Sequence, residues 1–114
     1  NTITLVTFAE KVAARCLVEQ CRELRVLSVA YNRMGDAGVA VLLRAMEEAP
    51  ALQLADLAYC FCTEKVVAPL LALLQRPLED AGAALLMLHG VPLSLAAAEE
   101  VMAAATKAGR RLIL

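Results

Sequence analysis

A chain of 114 residues that is 61% hydrophobic, 20% charged and 4% aromatic suits one compact domain and is too apolar for a disordered tail. Eleven Lys and Arg against twelve Asp and Glu leave a formal charge of −1, without the basic excess that drives nucleic-acid binding, so nucleic acid is excluded as the main partner. Glu10, Arg15, Arg22, Arg44, Glu64, Arg76 and Glu99 interrupt the hydrophobic segments, so no run approaches the roughly 20 apolar residues that cross a bilayer.

In chain order, short strand-like segments alternate with helix-like ones. The apolar-x-apolar cores are Ile3-Thr4-Leu5, Leu27-Ser28-Val29, Ala55-Asp56-Leu57, Leu86-Met87-Leu88 and Leu112-Ile113-Leu114, whose first residues are 24, 28, 31 and 26 positions apart. Alternation of this kind predicts half-buried strands. After the first, residues 8–21 place Phe8, Val12 and Cys16 at helical spacing; residues 37–49 do the same with Gly38, Leu42 and Met46, and Val66, Leu70 and Leu74 repeat it 28 positions later. Each helix therefore has one face to bury. Asp36, Thr63 and Ser94 are placed to cap helix N-termini, while Pro50, Pro77 and Gly109 stand where helices should stop. Pro69 conflicts with a helix that begins at Glu64 and implies either a kink or a later start with Pro69 in the first helical position. The alanine-rich residues 95–108 leave a second architecture open, an all-helical repeat.

One segment carries more information than periodicity. Leu24, Leu27, Val29, Asn32 and Met34 fit L-x-x-L-x-L-x-x-N-x-L, and 28 positions on Leu52, Ala55, Leu57, Cys60 and Cys62 occupy the same places, with Cys at the Asn position. On these residues, and on residues 27–38 with the helical stretch that ends before Pro50, the chain resembles the ribonuclease-inhibitor-like class of the leucine-rich-repeat family. The resemblance is closest over residues 24–50, extends through 52–77 and fades at both ends. It implies an α/β fold, a right-handed leucine-rich-repeat solenoid with parallel strands on the concave face and helices on the convex face. Residues 1–114 are then a single domain of about four repeats. Starting at Asn1 without a signal-like segment, they read as a processed chain or an excerpt from a longer one. In such a turn, Asn32 satisfies backbone groups with its side-chain amide, Cys60 supplies a weak S–H donor, and Val91, the next counterpart, supplies none.

Strand alternation assigns Ser28, Asp56, Met87 and Ile113 to one outward row and Ala30, Ala58 and His89 to the next. Tyr31, Tyr59 and Phe61 extend these rows at the strand-to-turn rim. Small and apolar side chains rimmed by tyrosine form a candidate protein-binding patch, comprising Ser28, Ala30, Tyr31, Asp56, Ala58, Tyr59, Phe61, Met87 and His89. The bland reading is that the tyrosines shield the turn edge, and both readings stand on the sequence.

The remaining chemistry argues against catalysis and metal binding. Cys60-Phe61-Cys62 and the pair Cys16 and Cys21 lack the usual zinc or thioredoxin spacing, so we expect packed thiols of a reducing, intracellular compartment, with cytoplasm the first choice. His89 faces the same side as Asp56, but Ser28, the sole nucleophile candidate, is two strands from His89 and lacks an elbow motif. Gly35-Asp36-Ala37-Gly38 lacks the Lys-Ser/Thr ending of a phosphate loop. The basic pairs Arg22/Arg25 and Arg110/Arg111 are balanced by Glu19, Glu23, Glu99 and Glu100 and read as solvated faces or rim contacts. With a mean hydropathy of +0.64, high for a free-standing chain of this size, the expected function is a non-enzymatic protein–protein interaction module without cofactors, a structural or assembly subunit of a larger complex. The alternative is the leucine-rich-repeat portion of a larger regulator, such as a nucleotide-dependent sensor or a GTPase-activating protein.

Overall fold

The computed structural model describes the backbone of residues 2–4 and the whole of residues 24–78 and 82–114. Five three-residue strands form one parallel sheet: β1 (Thr2–Thr4), β2 (Val26–Ser28), β3 (Leu54–Asp56), β4 (Leu85–Met87) and β5 (Arg111–Ile113). Their order in space is their order along the chain. The register aligns Ile3, Leu27, Ala55, Leu86 and Leu112, the residues that begin the apolar-x-apolar cores. Three helices lie among the described residues: α1 (Gly35–Met46), α2 (Val67–Leu74), preceded by a 3-10 turn at Glu64–Val66, and α3 (Leu95–Lys107). Helix α1 packs against α2 and α2 against α3, so the helices follow the same order as the strands. The chain is thus α/β with a parallel sheet, and the all-helical alternative is excluded because β4 and β5 flank the alanine-rich α3. No helix among the described residues is long and apolar enough to cross a membrane. The helix expected over residues 8–21, with Cys16 and Cys21, lies outside the described residues.

Alternation explains the core. Leu27, Ala55 and Leu86 are wholly buried at the strand centres and Leu112 nearly so, while both neighbours of Leu27, Ala55 and Leu86 are half-exposed. Helices supply the other wall through Leu42, Leu70 and Val101, which stand at equivalent positions in α1, α2 and α3 and are all buried. Each such side chain taken out of water contributes about 1.5–3 kcal/mol before the entropy of ordering the chain is subtracted.

Helix starts are joined across neighbouring units. Thr63 Oγ1 accepts from the Lys65 N–H at 3.3 Å and Ser94 Oγ from the Ala97 N–H at 3.2 Å, so these two residues cap as the sequence suggests. Asp36 does not cap its own helix, whose cap position is Met34 and has no side-chain cap. Its carboxylate belongs to the first turn of α1 and accepts instead from the backbone N–H of Thr63 and, at 2.8 Å, from the Thr63 hydroxyl. Those bonds hold the carboxyl below the usual carboxylate range, chiefly through the Thr63 N–H. Glu64 stands at the equivalent position of the next unit, and its carboxylate accepts from the backbone N–H of Ser94. An acid at the start of one helix therefore fixes the cap residue of the next.

Pro69 resolves into a third arrangement. The helix proper begins at Val67, so Pro69 is its third residue, in the first turn, where a backbone N–H has no partner within the helix anyway. Arg110 is a clear correction. It is only 3% exposed instead of solvated. Its Nε donates to the Gly82 carbonyl at 3.0 Å, and Nη1 donates to the carbonyls of Leu74 at 3.2 Å and Arg76 at 2.6 Å. A guanidinium at the carboxyl end of α2 meets orphan carbonyls and the negative end of the helix dipole, which offsets the desolvation that lowers its pKa.

Candidate functional site

Beyond the C-terminal ends of the strands the parallel ladder continues into the turns. Val29 donates to Asp56 O at 3.0 Å, Leu57 to Met87 O at 2.9 Å and Leu88 to Ile113 O at 2.7 Å; further on, Tyr31 donates to Ala58 O at 2.9 Å and Tyr59 to His89 O at 2.8 Å. These bonds hold two rows level. Ser28, Asp56, Met87 and Ile113 are in register and half-exposed. In the adjacent row Ala30 and His89 are half-exposed, but Ala58 is buried at 5% exposure. Ala58 therefore leaves the set of accessible residues: it is a single methyl in the middle of its row, flanked by Ala30 and the larger His89.

The rim is the more specific feature. Tyr31 is 75% exposed, and Tyr59 and Phe61 are exposed as well. All three adopt positive φ, at 62°, 54° and 58°. An L-residue in this left-handed region carries a strain of about 1–2 kcal/mol that glycine escapes. Gly90, the counterpart of Tyr31 and Tyr59 in the next unit, has φ 84° and takes the conformation freely. The Tyr31 and Tyr59 rings stack with centroids 5.1 Å apart and planes 18° from parallel. A Cβ on Gly90 would lie 2.5 Å from Cδ1 of Tyr59, so the ring of Tyr59 occupies the space that a side chain at 90 would need. Beside this stack, Arg33 holds its guanidinium carbon 5.4 Å from the centroid of Phe61. Neither Arg33 nor Gly90 stood out in the sequence. Their signal was positional, since Arg33 precedes Phe61 by 28 residues and Gly90 follows Tyr59 by 31.

Behind the rim, polar side chains finish the turns. Asn32 is buried and its Nδ2 donates to Val29 O at 2.8 Å and Ala30 O at 3.2 Å. Cys60 takes over this task in the next unit, its single S–H having Val29 O at 3.2 Å and Ala58 O at 3.7 Å within reach as acceptors. Cys60 and Cys62 are free, buried thiols. Burial pushes Cys60 up from 9.0 to about 11, and Cys62 is raised by burial and by the charge of Asp36. Because the unfolded chain releases the Cys60 proton first, the contribution of this thiol to stability is complete below about pH 9 and is lost as pH rises towards about 11. At pH 8 in native buffer, iodoacetamide should label both residues at least about tenfold more slowly than in urea, as read by peptide mass spectrometry, since both thiolate fraction and access are reduced. Equal labelling under the two conditions would show that the thiols are not packed.

Asp56 turns into its own loop, where Oδ1 accepts from the Ala58 N–H at 3.1 Å. It shares the outward side with His89 on the neighbouring unit, and among the described residues no hydrogen bond joins either to Ser28. No group of three or more His, Cys, Asp and Glu that could hold a metal ion occurs among the described residues. The half-exposed row Ser28, Asp56, Met87 and Ile113 is thus bordered by three exposed aromatic residues at positive φ. No family model matches the sequence, and no curated protein matches it either.

Proposed function

We propose that the chain is a right-handed leucine-rich-repeat solenoid and a non-enzymatic protein–protein interaction module, which binds a protein partner through its concave strand face as a subunit of a larger assembly. One observation carries this reading: Tyr31 and Tyr59 are exposed aromatic residues at positive φ although glycine serves the same turn at position 90, and Phe61 is exposed at positive φ beside them. These rings strain the backbone, and the contacts they make are with one another, with Gly90 and with Arg33. Aromatic side chains retained at such a cost are what a binding surface requires, because they offer large contact area with few rotatable bonds. The level row Ser28, Asp56 and Met87 beside them provides the flatter part of the contact, with Ala30 and His89 between. Free, packed Cys60 and Cys62 support a reducing, intracellular compartment.

Capture of partners by the native chain from an extract of its source, followed by mass spectrometry, tests the proposal. A stoichiometric set of co-purifying proteins is expected. Tyr31→Lys and Met87→Lys should each weaken its capture at least about tenfold while leaving the circular-dichroism melt nearly unchanged. Capture that is indifferent to both substitutions would remove the strand face from consideration. Unfolding by Met87→Lys alone would instead make that residue part of the core, and Tyr31→Lys then decides.

A further inference from the structure

The strand face carries a row outside the residues assigned to it so far. Val26, Leu54 and Leu85 are in register and half-exposed, and they stand two positions before Ser28, Asp56 and Met87 respectively, so strand alternation turns both rows to the same side of the sheet. Strands β3 and β4 each have a strand on either side, which places Leu54, Asp56, Leu85 and Met87 in the middle of the sheet. Helices α1, α2 and α3 cover the opposite side, against Leu27, Ala55 and Leu86. The middle of the open side is therefore apolar around one carboxylate, that of Asp56.

Among the described residues Asp56 is the sole acid on this side of the sheet. Its Oδ1 accepts from the Ala58 N–H at 3.1 Å, which orients the carboxylate, while Oδ2 accepts no hydrogen bond from a described residue. The one ion pair among the described residues, Arg76 with Glu47 at 3.8 Å, joins two helix ends and leaves Asp56 without a cation. An apolar segment laid over Leu54, Leu85 and Met87 would take this carboxylate out of water unpaired, which is costly. A segment that covers the face must then bring a cation to Oδ2, with apolar side chains to either side of it.

The sheet also sets the shape of that segment. Strands follow one another at about 4.8 Å and one turn of an α-helix advances about 5.4 Å, so a helix lying across the strands offers one side chain per strand and drifts by roughly 2 Å over the three steps from β2 to β5. An extended segment presents side chains on one face every 6.6 Å or so, about 5 Å out of step over the same distance. We propose that the middle of the strand face takes an amphipathic α-helix of the protein partner, laid across the strands, with one Lys or Arg in an otherwise apolar stripe. The cation meets Asp56 over β3. The stripe residues one turn before and after it pack on Val26 and Ser28 over β2 and on Leu85 and Met87 over β4. This occupant presupposes the partner-binding reading of the strand face and gives its chemistry.

Selection from two phage-displayed peptide libraries tests this, one an alanine-rich helical framework of about 18 residues randomised along one stripe, the other a proline-flanked extended framework randomised at alternate positions. The wild-type chain should enrich helical peptides with a single Lys or Arg between apolar stripe residues, binding with dissociation constants below about 100 μM by fluorescence anisotropy. Exchanging that cation for Glu should weaken binding at least about tenfold. Asp56→Lys should reverse the preference and bind the Glu peptide more tightly than its parent. Asp56→Asn, which keeps an acceptor for the Ala58 N–H, should abolish it. A preference unchanged in Asp56→Asn overturns the proposal, whether or not Asp56→Lys folds. Enrichment of extended peptides alone, of helices without a cation, or of no peptide overturns it too. Those outcomes leave the partner-binding reading standing wherever Tyr31→Lys and Met87→Lys still weaken capture of the native partners, whereas capture indifferent to both removes the face and its occupant together.

Discussion

Gly82→Ala is expected to destabilise the protein by about 4 kcal/mol or more, a large part of the 5–15 kcal/mol that holds a typical domain folded. Two causes add. The residue has φ 53°, where any side chain is strained. A Cβ there would also stand 2.2 Å from the carbonyl oxygen of Ala49 and 2.9 Å from that of Leu52. Both obstacles are backbone. They belong to the turn that leads into β3, and Leu52 is further tied by accepting from the Ala83 N–H at 2.6 Å. Relief would require separating the connection before β4 from the connection before β3. Urea denaturation should show the midpoint falling steeply or no cooperative transition at all. A shift worth under about 1 kcal/mol would mean that the two connections are not in contact. Gly90→Ala provides the contrast, since the atoms in its way belong to the movable ring of Tyr59.

Arg110→Met should cost about 3 kcal/mol. Methionine keeps much of the aliphatic stem but leaves the carbonyls of Leu74, Arg76 and Gly82 without their donor in a region from which water is largely excluded. Hydrogen bonds from a charged donor are stronger than neutral ones, and Arg110 makes three of them. Arg110→Lys should recover only part of the loss. One ammonium cannot reach three carbonyls that a planar fork addresses from two different nitrogens. Thermal melts of the two variants against wild type decide the matter, and a methionine variant as stable as wild type would mean that the clamp contributes nothing net.

The sheet was legible because it depends on residue type and spacing. Leu27, Ala55, Leu86 and Leu112 alternate with neighbours that are half-exposed or exposed, at distances that match the unit length, and the register joins these four residues. Asn32 and Cys60 were legible for a related reason, since the donor each side chain offers is fixed by its chemistry. What the sequence withheld depends on backbone angle or on distant partners. Nothing in the letters Tyr31, Tyr59 and Phe61 announces a positive φ, a conformation aromatic residues seldom adopt. Asp36 looked like a cap because local rules relate an acid to its own helix, whereas its partner Thr63 is 27 residues away. Arg110 was assigned to a solvated face or a rim contact by the general preference of charges for water, which yields when three carbonyls converge on one guanidinium. Ala58 obeyed the outward pattern of its row, yet in the middle of that row its methyl is buried, whereas Ala30 is half-exposed.

The bonds from Asp36 to Thr63 and from Glu64 to Ser94 all run in one direction, each helix start being secured by the unit before it. Detaching α3 breaks the Glu64 bond and leaves no later cap undone among the described residues, whereas melting the start of α1 releases Thr63 and loosens α2 and, through it, α3. Stability is thereby made vectorial. Among the three described helices fraying is cheapest at α3, and amide hydrogen exchange should rise stepwise from α1 through α2 to α3, the order in which successive helices depend on their predecessors.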